Sequence, residues 1–202
     1  MDKISLRQIA ASLSISHGNL SYHYKTKEDI LNEIYTRMEN EMSDVVFPEG
    51  DLTLTHYNNL LHRISEFQKR HRFFYLDMLS ISRNYPEIIK RYRITLTRRS
   101  LEYVRLIKHF ESKGLVRQEP EEGFYLSLFH SIWVMSAFWL QHQAILGKNH
   151  DLIQTGSDIK HVWEILLPHL TMKGLKEYRS IIGNDSWDQS PLHKAYLKVL
   201  KK

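Results

Sequence analysis

Residues that break helices are scarce in this chain. Only 8 glycines and 5 prolines are spread through 202 residues, so the intervals between them are long, and intervals of that length are filled comfortably only by α-helices. Apolar side chains recur at helical spacing over about 5–13, 16–23, 27–46, 53–70, 72–83, 86–112, 120–147, 157–171, 174–182 and 190–200. No segment shows a convincing strand period, so the expected fold class is all-α. An apolar share of 42% is enough to bury a core and excludes disorder. The absence of cysteine excludes disulfides, thiolate metal sites and a cysteine nucleophile, and without a secretory signal the expected location is the cytoplasm.

Charge divides the chain more informatively than its total of +5. Lys3, Arg7, Lys25 and Lys27 face Asp2 alone across residues 1–27, a basic head suited to a polyanion. From residue 28 to 51 eight acids face Arg37, so that segment should avoid phosphates. The stretch Phe47-Pro48-Glu49-Gly50-Asp51 interrupts helical patterning. It separates an N-terminal domain, 1–47, from a larger helical domain, 52–202. The run Phe124 to Leu140 is apolar on every face, but its 17 residues fall short of the roughly twenty that a membrane span needs. A helix of that kind is expected to be buried in protein.

Residues 5 to 31 form the most specific constellation. Ser5 with Gln8 makes a capping box for a short helix that places Leu6, Ile9, Ala10 and Leu13 on one side. Ser14-Ile15-Ser16 is the turn, and Ser16 caps the next helix, on which Leu20 and Tyr24 form the buried stripe. The remainder of that helix faces outward and carries no carboxylate: His17, Gly18, Asn19, Ser21, Tyr22 and His23. Thr26 caps a third helix with Asp29 at its third position, while Lys27 sits unfavourably against the macrodipole and suggests a nearby anion. A short polar helix preceded by a crossing helix is how a helix-turn-helix reads the major groove.

These residues, Ser5-Leu6-Arg7-Gln8-Ile9-Ala10 followed by Ile15-Ser16-His17-Gly18-Asn19-Leu20-Ser21-Tyr22-His23-Tyr24-Lys25-Thr26-Lys27-Glu28, resemble the TetR family of bacterial transcriptional regulators. The resemblance implies an all-α homodimer whose head binds a palindromic operator as a repressor, and whose larger domain releases it when a small molecule enters. By the same resemblance Ser5 and Ser16 cap and touch phosphates, and Arg7 reaches a base or phosphate. His17, Gly18 and Asn19 lie at the base-reading end, Gly18 allowing close backbone approach. Tyr22 and His23 meet the DNA backbone or a thymine methyl, and Lys27 grips a phosphate. Ser21 stands where the family often has tyrosine. The family also places a helix before these elements, so a chain that leads from Met1 straight into Ser5 reads as truncated at its start.

Residues 53 to 202 carry no catalytic signature, and an enzyme is not expected. The 12 histidines fall into no ligand spacing, so no metal or other cofactor is expected either. Aromatic density suggests instead a cavity for an apolar or amphipathic effector, with Phe74, Tyr103, Phe110, Phe129, His130 and Trp133 as candidate lining residues. The helix from Glu87 to Lys108 bears seven basic residues against two acids; on a solvated face they mean little, but turned inward they would favour an anionic amphiphile. Two segments, about 120–147 and 157–171, hold more large apolar residues than one internal core requires. Trp133, Phe138, Trp139, Val162, Trp163 and Leu166 are therefore the candidate two-fold interface. A reading from another class is a dimeric helical ligand-binding or interaction protein whose incomplete head no longer grips DNA.

Overall fold

The computed structural model describes residues 4–43, 50–146 and 157–182. Among them no strand occurs, and one isolated antiparallel bridge joins Val116 to Leu170. The helices are α1 (Leu6–Ser12), α2 (His17–His23), α3 (Lys27–Ser43), α4 (Leu54–Arg70), α5 (Arg72–Leu76), α6 (Met78–Asn84), α7 (Pro86–Ser112), α8 (Phe124–Leu146), α9 (Ser157–Leu166) and α10 (Met172–Ile182). Two compact units divide them, Met1–Val46 with Leu76–Thr97 and Phe47–Tyr75 with Arg98–Lys202.

The first unit is built on α3, whose Leu31, Tyr35 and Met38 recur at helical spacing and are buried. Met78 and Ile81 of α6 and Ile88 of α7 complete its apolar interior with Ala10 and Leu20. Arg91 of α7 fastens that helix to α3. Its guanidinium donates to Thr36 Oγ1 at 2.9 Å and through Nε to Glu39 at 3.1 Å, and it lies 5.0 Å from the Tyr35 ring centre. Burial, reinforced by Glu39, pushes the Tyr35 hydroxyl far above its ordinary pKa, so it stays protonated.

Trp163 of α9 is at the centre of the second unit and is fully buried. Its ring meets Tyr57 at 5.2 Å and Tyr178 at 4.8 Å, and its indole N–H donates to Asn58 Oδ1 at 3.0 Å. A Thr53–His56 capping box starts α4, whose buried face runs Leu54, Tyr57, Leu61 and Ser65. After α7, Gly114 takes φ +66 so that Leu115 N–H can return to the Phe110 carbonyl at 2.9 Å. The backbone at Leu115 then accepts α10: Thr171 N–H donates to the Leu115 carbonyl at 3.0 Å, and a Cβ on Gly174 would lie 2.0 Å from that same oxygen. Only glycine fits there.

Three expected helices differ from those found. The segment 72–83 breaks at Asp77, where no glycine or proline stands. Phe74 and Tyr75 on one side are buried in the second unit, and Met78 and Ile81 on the other are buried in the first. The helix expected from 120 starts at Phe124, because Gly123 adopts φ +83 and Glu119, rather than a first turn of Pro120-Glu121-Glu122, accepts the Tyr125 N–H at 3.0 Å. The helix 157–171 ends at Leu166 and tightens into a 3₁₀ turn carrying Pro168. The expected helix 190–200, residues 44–46 of the third helix, and the boundary stretch up to Pro48-Glu49 lie outside the described residues. The apolar run in α8 is buried on one face only: Tyr125, Phe129, Ile132 and Ala137 face inward, while Leu126, Val134 and Phe138 remain exposed. Among the described residues no helix is long and apolar enough to cross a membrane.

Candidate nucleic-acid interface

The head is assembled by its caps. Ser5 Oγ accepts the Gln8 N–H at 3.2 Å while Gln8 Oε1 accepts the Ser5 N–H at 2.8 Å, which satisfies donors at both ends of the first turn of α1. The helix closes as a Schellman motif, with Ile15 N–H donating to the Ala10 carbonyl and Ser14 N–H to that of Ala11, each at 3.1 Å. The motif needs a left-handed residue, and Ser14 supplies it at φ +56. Ser16 Oγ accepts the Asn19 N–H at 3.1 Å and starts α2. Leu20 alone is buried on this helix, which fixes the outward direction of everything else.

Of the ten residues singled out, nine lie on or cap α1 and α2, and Lys27 opens α3. Arg7, His17, Gly18, Asn19, Tyr22 and His23 are exposed. Tyr22 is 78% exposed and stacks edge-on only against its neighbour His23, so this ring is not engaged by the core. Ser21, half-buried, pairs with His17 Nε2 at 3.3 Å across one turn. A Cβ at Gly18 would meet only Ser16 Oγ at 4.0 Å. Nothing among the described residues excludes a side chain there, although alanine would suit the helix better by about 1 kcal/mol. At the start of α3 the Asp29 carboxylate accepts the Thr26 N–H at 2.8 Å in a reciprocal cap. Asp29 therefore already supplies negative charge to that helix terminus, and Lys27 does not by itself require an external anion there.

The expected sensor residues fall into two groups. Phe110 lies 6.3 Å from Tyr57, Tyr103 lies 5.2 Å from Phe129, and Phe129 lies 5.5 Å from Trp133, two runs of rings inside the second unit. Phe74 is buried, whereas His130 is on the exposed side of α8, so it does not line that interior. Tyr57 was missed; its position on the buried face of α4 was the available signal. Among the expected interface residues, Val162, Trp163 and Leu166 are buried by their own chain at 4%, 0% and 0% exposure. Atoms already enclosed cannot meet a partner, so these three are core residues. Phe138 is exposed, and Trp133 and Trp139 are half-buried on α8. Among the described residues no group of three or more histidines and carboxylates could hold a metal ion.

Comparison with known proteins covers most of the chain. The family TetR, described as bacterial transcriptional repressor, matches residues 37–178. A solved TetR-family transcriptional regulator from Marinobacter aquaeolei VT8 is 24% identical, with a TM-score of 0.78, over 89% of this chain and 87% of that one. No curated protein matches.

Proposed function

The chain belongs to the TetR family of bacterial transcriptional regulators, and on that footing we propose that it is a repressor that binds palindromic operator DNA as a homodimer and is released by a small molecule. The observation that carries this reading is the outward face of α2. It is held by the Ser16 cap and presents His17, Gly18, Asn19 and Tyr22 with no carboxylate between Lys3 and Lys27. Ser5, Arg7, Ser21 and His23 flank it, and Lys27 adds a cation beside it. Such a face loses nothing by approaching phosphates and offers hydrogen-bonding groups to base edges.

The two-fold contact is assigned to the exposed side of α8, where Leu126, Val134 and Phe138 follow one another at intervals of eight and four residues. The effector enters the aromatic interior of the second unit. Two heads set one helical turn apart by the dimer bind successive major grooves, and a ligand that favours another spacing lowers operator affinity by its preference for that state. The direct test is a gel shift against DNA flanking the chain's own gene. Lys27→Ala should weaken binding to every sequence alike, whereas His17→Ala or Asn19→Ala should relax preference at single positions by about 1–3 kcal/mol. Binding and salt slope unchanged in all three variants would defeat this reading.

A further inference from the structure

Two tyrosine hydroxyls deep in the second unit meet no hydrogen-bonding group beyond each other among the described residues. Tyr57 of α4 and Tyr103 of α7 are 3% and 4% exposed, and their hydroxyls face each other and reach no other polar group among the described residues. Ser65, two turns along the same face of α4, is 4% exposed and its hydroxyl is unpartnered among the described residues. Folded proteins leave few such groups, because a buried donor without an acceptor is destabilising. Aromatic rings pack against the pair: Phe110 and Trp163 lie 6.3 and 5.2 Å from Tyr57, and Phe129 lies 5.2 Å from Tyr103. Arg99, one turn before Tyr103 on α7, donates to Glu102 at 2.6 Å, so its charge is already paired. Burial raises the pKa of both tyrosines, which keeps them as O–H donors at neutral pH.

Resting on the sensor reading above, we propose that Tyr57 and Tyr103 form the polar end of the effector site, and that the effector is a largely apolar molecule bearing an uncharged carbonyl oxygen that accepts from both hydroxyls. A carbonyl oxygen has two lone pairs, which matches two convergent donors. A hydrocarbon leaves both hydroxyls unsatisfied. A carboxylate brings in a charge that Arg99, already paired, does not balance. The anionic amphiphile that the basic composition of α7 suggested is therefore disfavoured; Lys90, Arg93, Arg98, Arg105 and Lys108 point to solvent.

The test uses the full chain and three probes of matched shape: 2-acetonaphthone, 2-ethylnaphthalene and 2-naphthoate, each titrated calorimetrically. The ketone should bind about tenfold more tightly than the hydrocarbon, and more tightly than the carboxylate. The double variant Tyr57→Phe, Tyr103→Phe should bind the ketone only as well as the hydrocarbon, with hydrocarbon affinity unchanged. Equal binding of ketone and hydrocarbon, a ketone preference that survives in the double variant, tightest binding of the naphthoate, or no binding of any probe at millimolar concentration would each overturn the proposal. Operator affinity is measured separately: a ketone that binds through the tyrosines without altering the gel shift defeats release by ligand but leaves the site standing.

Discussion

At Gly18 the fold makes no demand that alanine could not meet, since its Cβ would find open space beyond Ser16 Oγ. Under the proposed function, the absence of a side chain there leaves room for the DNA to approach the backbone closely. Gly18→Ala should raise the stability of the head by up to about 1 kcal/mol and yet weaken operator binding; thermal denaturation and gel shift read the two effects apart, and tighter binding would contradict the close approach. His169 offers a pH test. Burial, assisted by Arg117, holds its pKa below the ordinary value, and its ring packs 4.9 Å from Phe124. A depressed histidine pKa means the folded state resists protonation, so its contribution to stability is complete above the unfolded pKa of about 6.5 and is lost as pH falls through the folded value. Melting temperature should therefore decline more steeply below that pH in the parent than in His169→Phe, which has nothing to protonate.

Among the elements, α7 is distinctive in carrying both Arg91, which fastens it to α3, and Tyr103, one of the two tyrosines whose hydroxyls face each other in the second unit. Arg91→Ala removes a charge-assisted fork from Glu39 and leaves that carboxylate, 28% exposed, without this cation. The cost should be about 1.5–3 kcal/mol, measured by chemical denaturation, and Arg91→Lys should recover only part of it because an ammonium cannot reproduce the fork. Equal stability of all three proteins would show that the contact holds nothing in place. The short helices around it were only partly legible. Pro86 marks the start of α7 in the sequence, since the residue before a proline avoids helical geometry and Tyr85 accordingly adopts φ −134. The break at Asp77 has no such mark.

For the whole molecule the decisive question is which apolar surface is spare. Val134 and Phe138 are 58% and 39% exposed, whereas Trp163 is fully enclosed. Val134→Glu or Phe138→Glu should give folded monomers, seen by light scattering with helical circular dichroism retained. Trp163→Glu should instead unfold the second unit, because it places an unpaired charge in a desolvated core at a cost of several kcal/mol. An intact dimer in both α8 variants would move the contact elsewhere. The helical class, the three caps at Ser5, Ser16 and Thr26, and the carboxylate-free face of α2 were readable in the chain, because caps and periodicity are local relations between residues three or four apart. Which of two equally apolar helices is enclosed, where 72–83 divides, and that Tyr57 meets Tyr103 were not. Those depend on pairings between residues far apart in sequence, and hydrophobic burial has no direction of its own, so Trp163 and Phe138 look alike until the tertiary structure encloses one of them and leaves the other exposed.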